Sequence, residues 1–262
     1  MSIVVLMYHA LYRGEAEWDS LAAEERPYAV ASEVFEQQLD ALSAAGIPVL
    51  DPEELLGHSS GAWPKKGVVL TFDDGHESFY RHAFPLLRKR GYRAIFFITS
   101  DLVEARDDFC SWDALREMAD QGNWIQAHGK THRFLSDLSR QEATEELSVP
   151  ARVIAAHTGQ PIQSISFPGG RFGAREIELG RTLGYRSFFG SFVGVLRQPA
   201  KEGSAIPRIA IRHNTNLGTF VALAKGSEIA VLPRQLAYRL KNYVRSLLGN
   251  RIYHGLYRKL SS

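Results

Sequence analysis

The sequence predicts a parallel α/β architecture of barrel type, on three observations. Apolar, β-branched runs alternate with helical stretches along nearly the whole chain. About seven or eight such strands fall in one chain of 262 residues, which suits a (β/α) barrel better than an open sheet. Candidate functional groups also stand at the downstream ends of strands. His9 follows I-V-V-L-M-Y, Asp73 follows V-V-L-T-F, His128 follows W-I-Q-A, and Pro168-Gly169 follows S-I-S-F. In a parallel barrel those ends share one rim, where active sites are built.

Taken in order, residues 3–7 read as an apolar strand ending at Tyr8-His9, followed by a polar, irregular stretch to about Tyr28. Ser32 is the expected N-cap of a helix carrying Val34, Phe35, Leu39 and Leu42 on one side and stopped by Gly46. A short strand over 47–50, a helix opened by Asp51-Pro52 and a turn-rich loop over 57–67 follow. After the strand at 68–72 comes a helix with Phe79, Phe84, Leu86 and Leu87, ended by Gly91. Residues 93–99 form a strand, Ser111 caps a helix closing at Gly122, and 124–127 form the strand leading to His128. A long helix covers about 139–157, a strand 164–167 and a helix about 174–183; 186–192 and 208–211 are fainter strands.

Apolar and charged fractions of 45% and 23% are ordinary for a globular chain long enough to bury a sizeable core. The single cysteine, Cys110, excludes an intramolecular disulfide and a cysteine-based zinc cluster. No apolar run approaches the ~18 residues needed to span a bilayer. The start does not resemble a signal peptide, since its apolar run is short, lacks preceding basic residues and runs straight into Tyr8-His9. A cytoplasmic chain with no nucleic-acid partner is therefore expected.

The stretch Val68-Val69-Leu70-Thr71-Phe72-Asp73-Asp74-Gly75 carries the chemistry. Two ionised acids make poor core, and on a straight strand they would face opposite ways. They converge only if the strand bends into a loop, which Gly75 permits. The plain alternative is a polar turn with an aspartate N-cap. His128-Gly129-Lys130-Thr131-His132 gives the i, i+4 spacing that lets two imidazoles reach one metal, although such a pair also occurs for structural reasons. Together the motifs make a two-histidine, one-carboxylate set. Three protein ligands plus water is the pattern of catalytic zinc sites, and the spare carboxylate is free to act as a base.

Thr71-Phe72-Asp73-Asp74-Gly75 with His128-Gly129-Lys130-Thr131-His132 resembles the polysaccharide deacetylases, the fourth family of carbohydrate esterases. The likeness covers roughly residues 1–215 and includes Ser111-Trp112-Asp113-Ala114-Leu115 and Ser166-Phe167-Pro168-Gly169-Gly170. It implies a distorted (β/α)7 barrel, a divalent metal (commonly zinc) and hydrolysis of N-acetyl groups on an amino-sugar glycan. By motif, Asp73 would be the base, and Asp74, His128 and His132 the metal ligands. Gly169 or its neighbour would offer a backbone N–H to the oxyanion.

Two departures follow from the same likeness. Where many members carry the arginine that holds the base, this chain has Ser166; Arg171 is the candidate substitute. The family usually ends in a strand bearing the acid histidine. Ile209-Ala210-Ile211-Arg212-His213 is a weak copy, and residues 3–9 match better, as in circularly permuted members similar to exopolysaccharide de-N-acetylases. His9 is thus expected as the acid, with His213 as the alternative. Trp18, Tyr28, Trp112 and Trp124 could stack on sugars but are given no role.

A glycosidase would need two acids ~5–9.5 Å apart flanking the bond, which adjacent Asp73 and Asp74 fit badly. A deacylase of a small or lipid-linked amide and a non-catalytic carbohydrate-binding relic are the remaining alternatives.

Residues 1–228 are read as the barrel and 229–262 as a tail with seven Lys or Arg and no acid, against a net charge of +2 for the whole chain. Leu232, Leu236, Leu240, Tyr243, Val244 and Leu247 recur at helical spacing, with Arg234, Lys241 and Arg245 opposite. Such a helix either packs its apolar stripe on the barrel or lies on an anionic membrane through residues ~232–260.

Overall fold

The computed structural model describes residues 2–56, 63–201, 203–241 and 243. Eight parallel strands form one sheet: β1 (Ser2–Tyr8), β2 (Lys66–Phe72), β3 (Ile95–Ile98), β4 (Trp124–Ala127), β5 (Ser164–Ser166), β6 (Ser187–Phe189), β7 (Ala205–Ile206) and β8 (Ile209–Ala210). Their order is β8-β1-β2-β3-β4-β5-β6-β7. The two outermost strands, β7 and β8, are joined by Pro207 and Arg208 alone. Three chain steps span at most about 11 Å, so the sheet curls until its ends come together. The result is the barrel-like α/β fold the alternation predicts, with β1 inside the sheet, in register with β2 from Ser2↔Lys66 to Tyr8↔Phe72.

Period-two alternation sorts each strand into two faces. Val4, Leu6, Tyr8, Val68, Leu70, Phe72, Phe96 and Ile98 join the outer core under the helices. Ile3, Val5, Val69, Ile95, Phe97 and Phe189 form a second cluster inside the curl. Continuing that inner face by twos gives Met7 and His9 on β1, Thr71 and Asp73 on β2, and Gln126 and His128 on β4. The alternation that fills the inner core therefore delivers the reactive residues to its open end.

The helices wrap the outer face. α1 (Ser32–Ala44) buries Phe35, Leu39 and Leu42. Its cap position is Ala31, and Ser32 is already helical, one residue off the expected cap. A π-helical turn (Phe79–Ala83) runs into α2 (Phe84–Lys89). The Ser111 side chain caps α3 (Trp112–Asp120) by accepting from the Ala114 N–H. α4 (Arg140–Thr158) opens on a Ser139–Glu142 capping box and ends at Gly159 in the left-handed conformation. α5 (Ala174–Thr182) and α6 (Leu217–Ala224) complete the layer. The strand expected over 47–50 reduces to a single bridge, Val49↔Val68. Much of the 57–67 loop lies outside the described residues.

The tail begins as a helix, α7, over 228–241, and its orientation corrects the expectation of a packed apolar stripe. Leu232, Leu236, Leu240 and Tyr243 are 52%, 55%, 64% and 63% exposed. The polar side of the helix faces the domain instead. Arg234 Nη1 donates to the Ala210 carbonyl (3.0 Å) and Gln235 Nε2 to the Val193 carbonyl (3.3 Å). The domain surface there offers backbone acceptors, which donors satisfy and leucines cannot. Val244, Arg245, Leu247 and the remainder of the tail lie outside the described residues. No helix among the described residues is long and apolar enough to cross a membrane.

Candidate active site

A cleft of about 700 Å³ opens at the downstream strand ends, lined among others by His9, Asp73, Asp74, His128, His132 and Gly169. Asp73 is still part of the sheet, its N–H donating to the Tyr8 carbonyl (3.0 Å). Asp74 then leaves it by adopting a left-handed backbone, φ 86°, followed by Gly75 at φ 103°. That break turns the two adjacent carboxylates toward one space. A non-glycine residue in this region costs about 1–3 kcal/mol and persists only where its surroundings hold it. Here Thr99 N–H donates to the Asp74 carbonyl (3.1 Å) and Cys110 N–H to the Gly75 carbonyl (2.9 Å). His132, at φ 64°, is strained in the same sense.

Asp74, His128 and His132 each offer one ligand atom, all within 4.8 Å of one another. The Asp74 Oδ1 atom lies 3.1 Å from His128 Nε2 and 3.2 Å from His132 Nε2. Yet Oδ1 is buried and accepts no well-aligned hydrogen bond, so the three atoms face a shared point more than one another. His128 Nδ1 lies 2.8 Å from the Ser166 carbonyl. A carbonyl only accepts, so Nδ1 carries the proton and the Nε2 lone pair is turned to the shared point. Two imidazoles and one carboxylate are a donor set that suits a divalent ion such as zinc, so the residues fit the expected metal.

The histidine loop is held by a residue the sequence did not single out. Glu146 on α4 is buried and accepts from the N–H groups of Lys130 and Thr131 (2.9 Å each) and from the Thr131 hydroxyl. One carboxylate thereby fixes the turn between the two histidines.

Asp73 is buried and held by Arg208, not by Arg171. Arg208 Nη1 donates to Oδ1 (2.6 Å) and Nη2 to Oδ2 (2.7 Å). The same guanidinium donates to Ser166 Oγ (2.7 Å), Thr71 Oγ1 (3.2 Å) and the Gly190 carbonyl (2.9 Å). Ser166 Oγ in turn donates to Asp73 Oδ2 (2.9 Å). Burial opposes the charge of Asp73, but the Arg208 guanidinium holds the carboxyl below its ordinary value. The arginine function expected near residue 166 thus arrives from the β7–β8 junction. The signal in the sequence is an arginine inside the apolar run Ile206-Pro207-Arg208-Ile209, which demands a buried partner. Arg171 also lines the cleft, where it pairs with Asp137 (3.1 Å) and stacks 3.9 Å over the Phe134 ring.

His9 lines the cleft, with its ring 5.0 Å from Tyr28 and its Nδ1 buried without a partner. Burial lowers its pKa, and the charges of Asp74 and Asp73 pull the other way. His213 is not among the cleft-lining residues, although Arg212 and Asn214 on either side of it are: β8 ends at Ala210, the chain turns, and the imidazole packs 4.6 Å from Trp18. Gly169 is at φ 61°, and a Cβ there would fall 2.5 Å from the Phe134 ring. Gly170 N–H donates to the Phe167 carbonyl (2.8 Å), which leaves Gly169 the better placed of the two to offer its N–H to the cleft.

A curled parallel sheet with an Asp-Asp turn and a paired-histidine loop at one end defines a class. Residues 60–188 match the family model of the polysaccharide deacetylases, so the chain carries a polysaccharide deacetylase domain. The Streptococcus pyogenes deacetylase PplD, solved with acetate, superposes with a TM-score of 0.74 and 25% identity over 86% of this chain and 98% of that one. The Bacillus subtilis protein YxkH is 26% identical over 197 residues, 74% of this chain and 64% of its own length. The poly-beta-1,6-N-acetyl-D-glucosamine N-deacetylase of Escherichia coli K12 is 26% identical over 243 residues, 76% of this chain but 36% of its own length. The chain therefore spans under two thirds of the length of these two relatives.

Proposed function

We propose that this chain removes N-acetyl groups from an amino-sugar-containing poly- or oligosaccharide, using a divalent metal, zinc by the chemistry of its donors. The observation that carries the reading is the pairing of two devices in one cleft. Asp74, His128 and His132 converge on one point, and Asp73 is held ionised beside them by Arg208. The deacetylase names of its relatives support the same substrate class.

An amide resists hydrolysis because its carbonyl is a poor electrophile and its amine a poor leaving group. A bound divalent ion supplies a Lewis acid for that carbonyl and lowers the pKa of water toward ~7. Asp73, locked in one orientation by Arg208 and Ser166, accepts the proton of the attacking water. The Gly169 N–H donates to the developing oxyanion, a role worth about 3–4 kcal/mol where measured elsewhere. His9 takes up a proton and passes it to the departing amine. Asp73 and Asp74 are adjacent in one cleft and do not flank a bond at ~5–9.5 Å, so a two-acid glycosidase is disfavoured. The complete donor set argues against a non-catalytic relic.

A screen of acetate release across N-acetyl sugars, with and without chelator, tests the reading. Metal-dependent acetate is expected, and reducing ends without acetate would replace it with a glycosidase.

Deacylation of a lipid-linked amide is the second reading, favoured by the exposed stripe of Leu232, Leu236 and Leu240 beside the cleft. It goes with peripheral membrane contact through the tail, from residue 232 toward 260, and with a cytoplasmic location. Salt-sensitive co-sedimentation with anionic vesicles supports that contact. Absence of binding at low salt rejects it.

A further inference from the structure

The cleft holds more positive charge than the chemistry needs. Among the described lining residues the acids are Asp73 and Asp74, whereas Arg171, Arg212, Arg234 and Lys241 bring positive charge. Asp73 is neutralised by Arg208, and Asp74 belongs to the metal set. Arg171 is matched by Asp137. Arg212 and Arg234 instead rest on neutral partners. Arg212 sits 5.2 Å over the Tyr28 ring, and Arg234 donates to the Ala210 carbonyl (3.0 Å).

These two arginines come from different elements and line the same cleft. Arg234 reaches from α7 to a carbonyl only two residues before Arg212 in the chain that leaves β8. They are close enough that, after burial, the charge of Arg212 is what makes Arg234 easier to deprotonate. Two guanidinium groups lining one cleft repel, and an oxyanion bound there relieves that repulsion with charge-assisted hydrogen bonds. Tyr28 links the pair to the catalytic end, its ring lying under Arg212 and 5.0 Å from His9.

We infer that Arg212 and Arg234 form an oxyanion subsite at the cleft edge, so the glycan substrate carries a phosphate or carboxylate near the sugar that is deacetylated. The inference rests on the deacetylase reading and adds to it the charge of the substrate.

Two measurements on the full, zinc-loaded chain test it. The first is calorimetric titration with inorganic pyrophosphate. The wild type binds, added salt weakens binding, and R212Q/R234Q binds about tenfold or more weakly while retaining one zinc. Pyrophosphate binding unchanged in the double variant would assign the anion to the metal site and overturn the subsite. The second compares kcat/KM for acetate release from a neutral N-acetylglucosamine oligomer, an N-acetylmuramic-acid oligomer and an N-acetylglucosamine oligomer ending in a 1-phosphate. One charged substrate is preferred about tenfold or more, which identifies carboxylate or phosphate, and the ratio falls toward one in R212Q/R234Q. R212K/R234K keeps part of the preference because it keeps the charge. Acetate released with equal kcat/KM from all three overturns the subsite while the deacetylase reading stands. Acetate from none counts against the deacetylase reading, and the titration then decides the subsite alone.

Discussion

Arg208 grips Asp73 at both oxygens, Nη1 to Oδ1 at 2.6 Å and Nη2 to Oδ2 at 2.7 Å, across 135 residues of sequence. Both groups are almost fully shielded from water. Breaking such a pair leaves an uncompensated buried charge, at a cost of about 3–5 kcal/mol. Arg208→Met should therefore destabilise the fold by about that amount in denaturant melts, whereas the Arg208→Met/Asp73→Asn double variant should lose much less than the sum of the singles. Additive losses would mean that the two residues do not act as a unit.

The turn between the metal-set histidines hangs on Glu146. Glu146→Leu roughly keeps the size of the side chain but removes both acceptors from the Lys130 and Thr131 N–H groups. Zinc affinity should fall about 10–100-fold with the helix content of the chain preserved. Unaltered zinc affinity would show that the loop holds its shape without this carboxylate.

Much of the fold and part of the site were legible in the sequence, and the boundary has a physical basis. Asp73, Asp74, His9 and His128 advertise themselves because each interrupts or ends an apolar strand, where a polar side chain is conspicuous. The apolar run around Arg208 marks it as buried, but its partner stays hidden because only the curl of the sheet brings Asp73 near, which no local pattern encodes. Glu146 was hidden for another reason: on a helix with many charged residues nothing marks one glutamate as buried. The tail misled because amphipathicity gives the faces of a helix but not which face the neighbour prefers, and the neighbour here presents carbonyl oxygens.

Cys110 gives a chemical check on the packing. Burial pushes its thiol up to about 12, so almost no thiolate exists near neutrality. Ellman's reagent at pH 8 should find no reactive thiol in the folded chain and one after denaturation. Fast reaction of the native protein would contradict the burial of Cys110 beside the Asp-Asp turn.

The α4 cap supplies a pH test away from the cleft. The Ser139 N–H and hydroxyl lower the exposed Glu142 carboxyl to about 2. Its unfolded value is about 4.3. The sign follows: the cap contributes stability in full above the unfolded value and loses it as pH falls through about 2. Carbon-detected NMR of the Glu142 carboxyl should give a midpoint near the lower value. A midpoint at the unfolded value would show that the capping box is not formed in solution.

In the proposed reaction one divalent ion, held by Asp74, His128 and His132, serves amide hydrolysis in this cleft. The most direct measurement is acetate release from an N-acetylglucosamine oligomer by the chelator-treated chain as zinc is added back. Acetate release should rise in proportion to zinc and level off at one ion per chain, and His128→Ala should abolish both the tight binding and the turnover. Acetate release that is indifferent to chelator and zinc, or tight zinc binding that survives the loss of His128, would contradict the account.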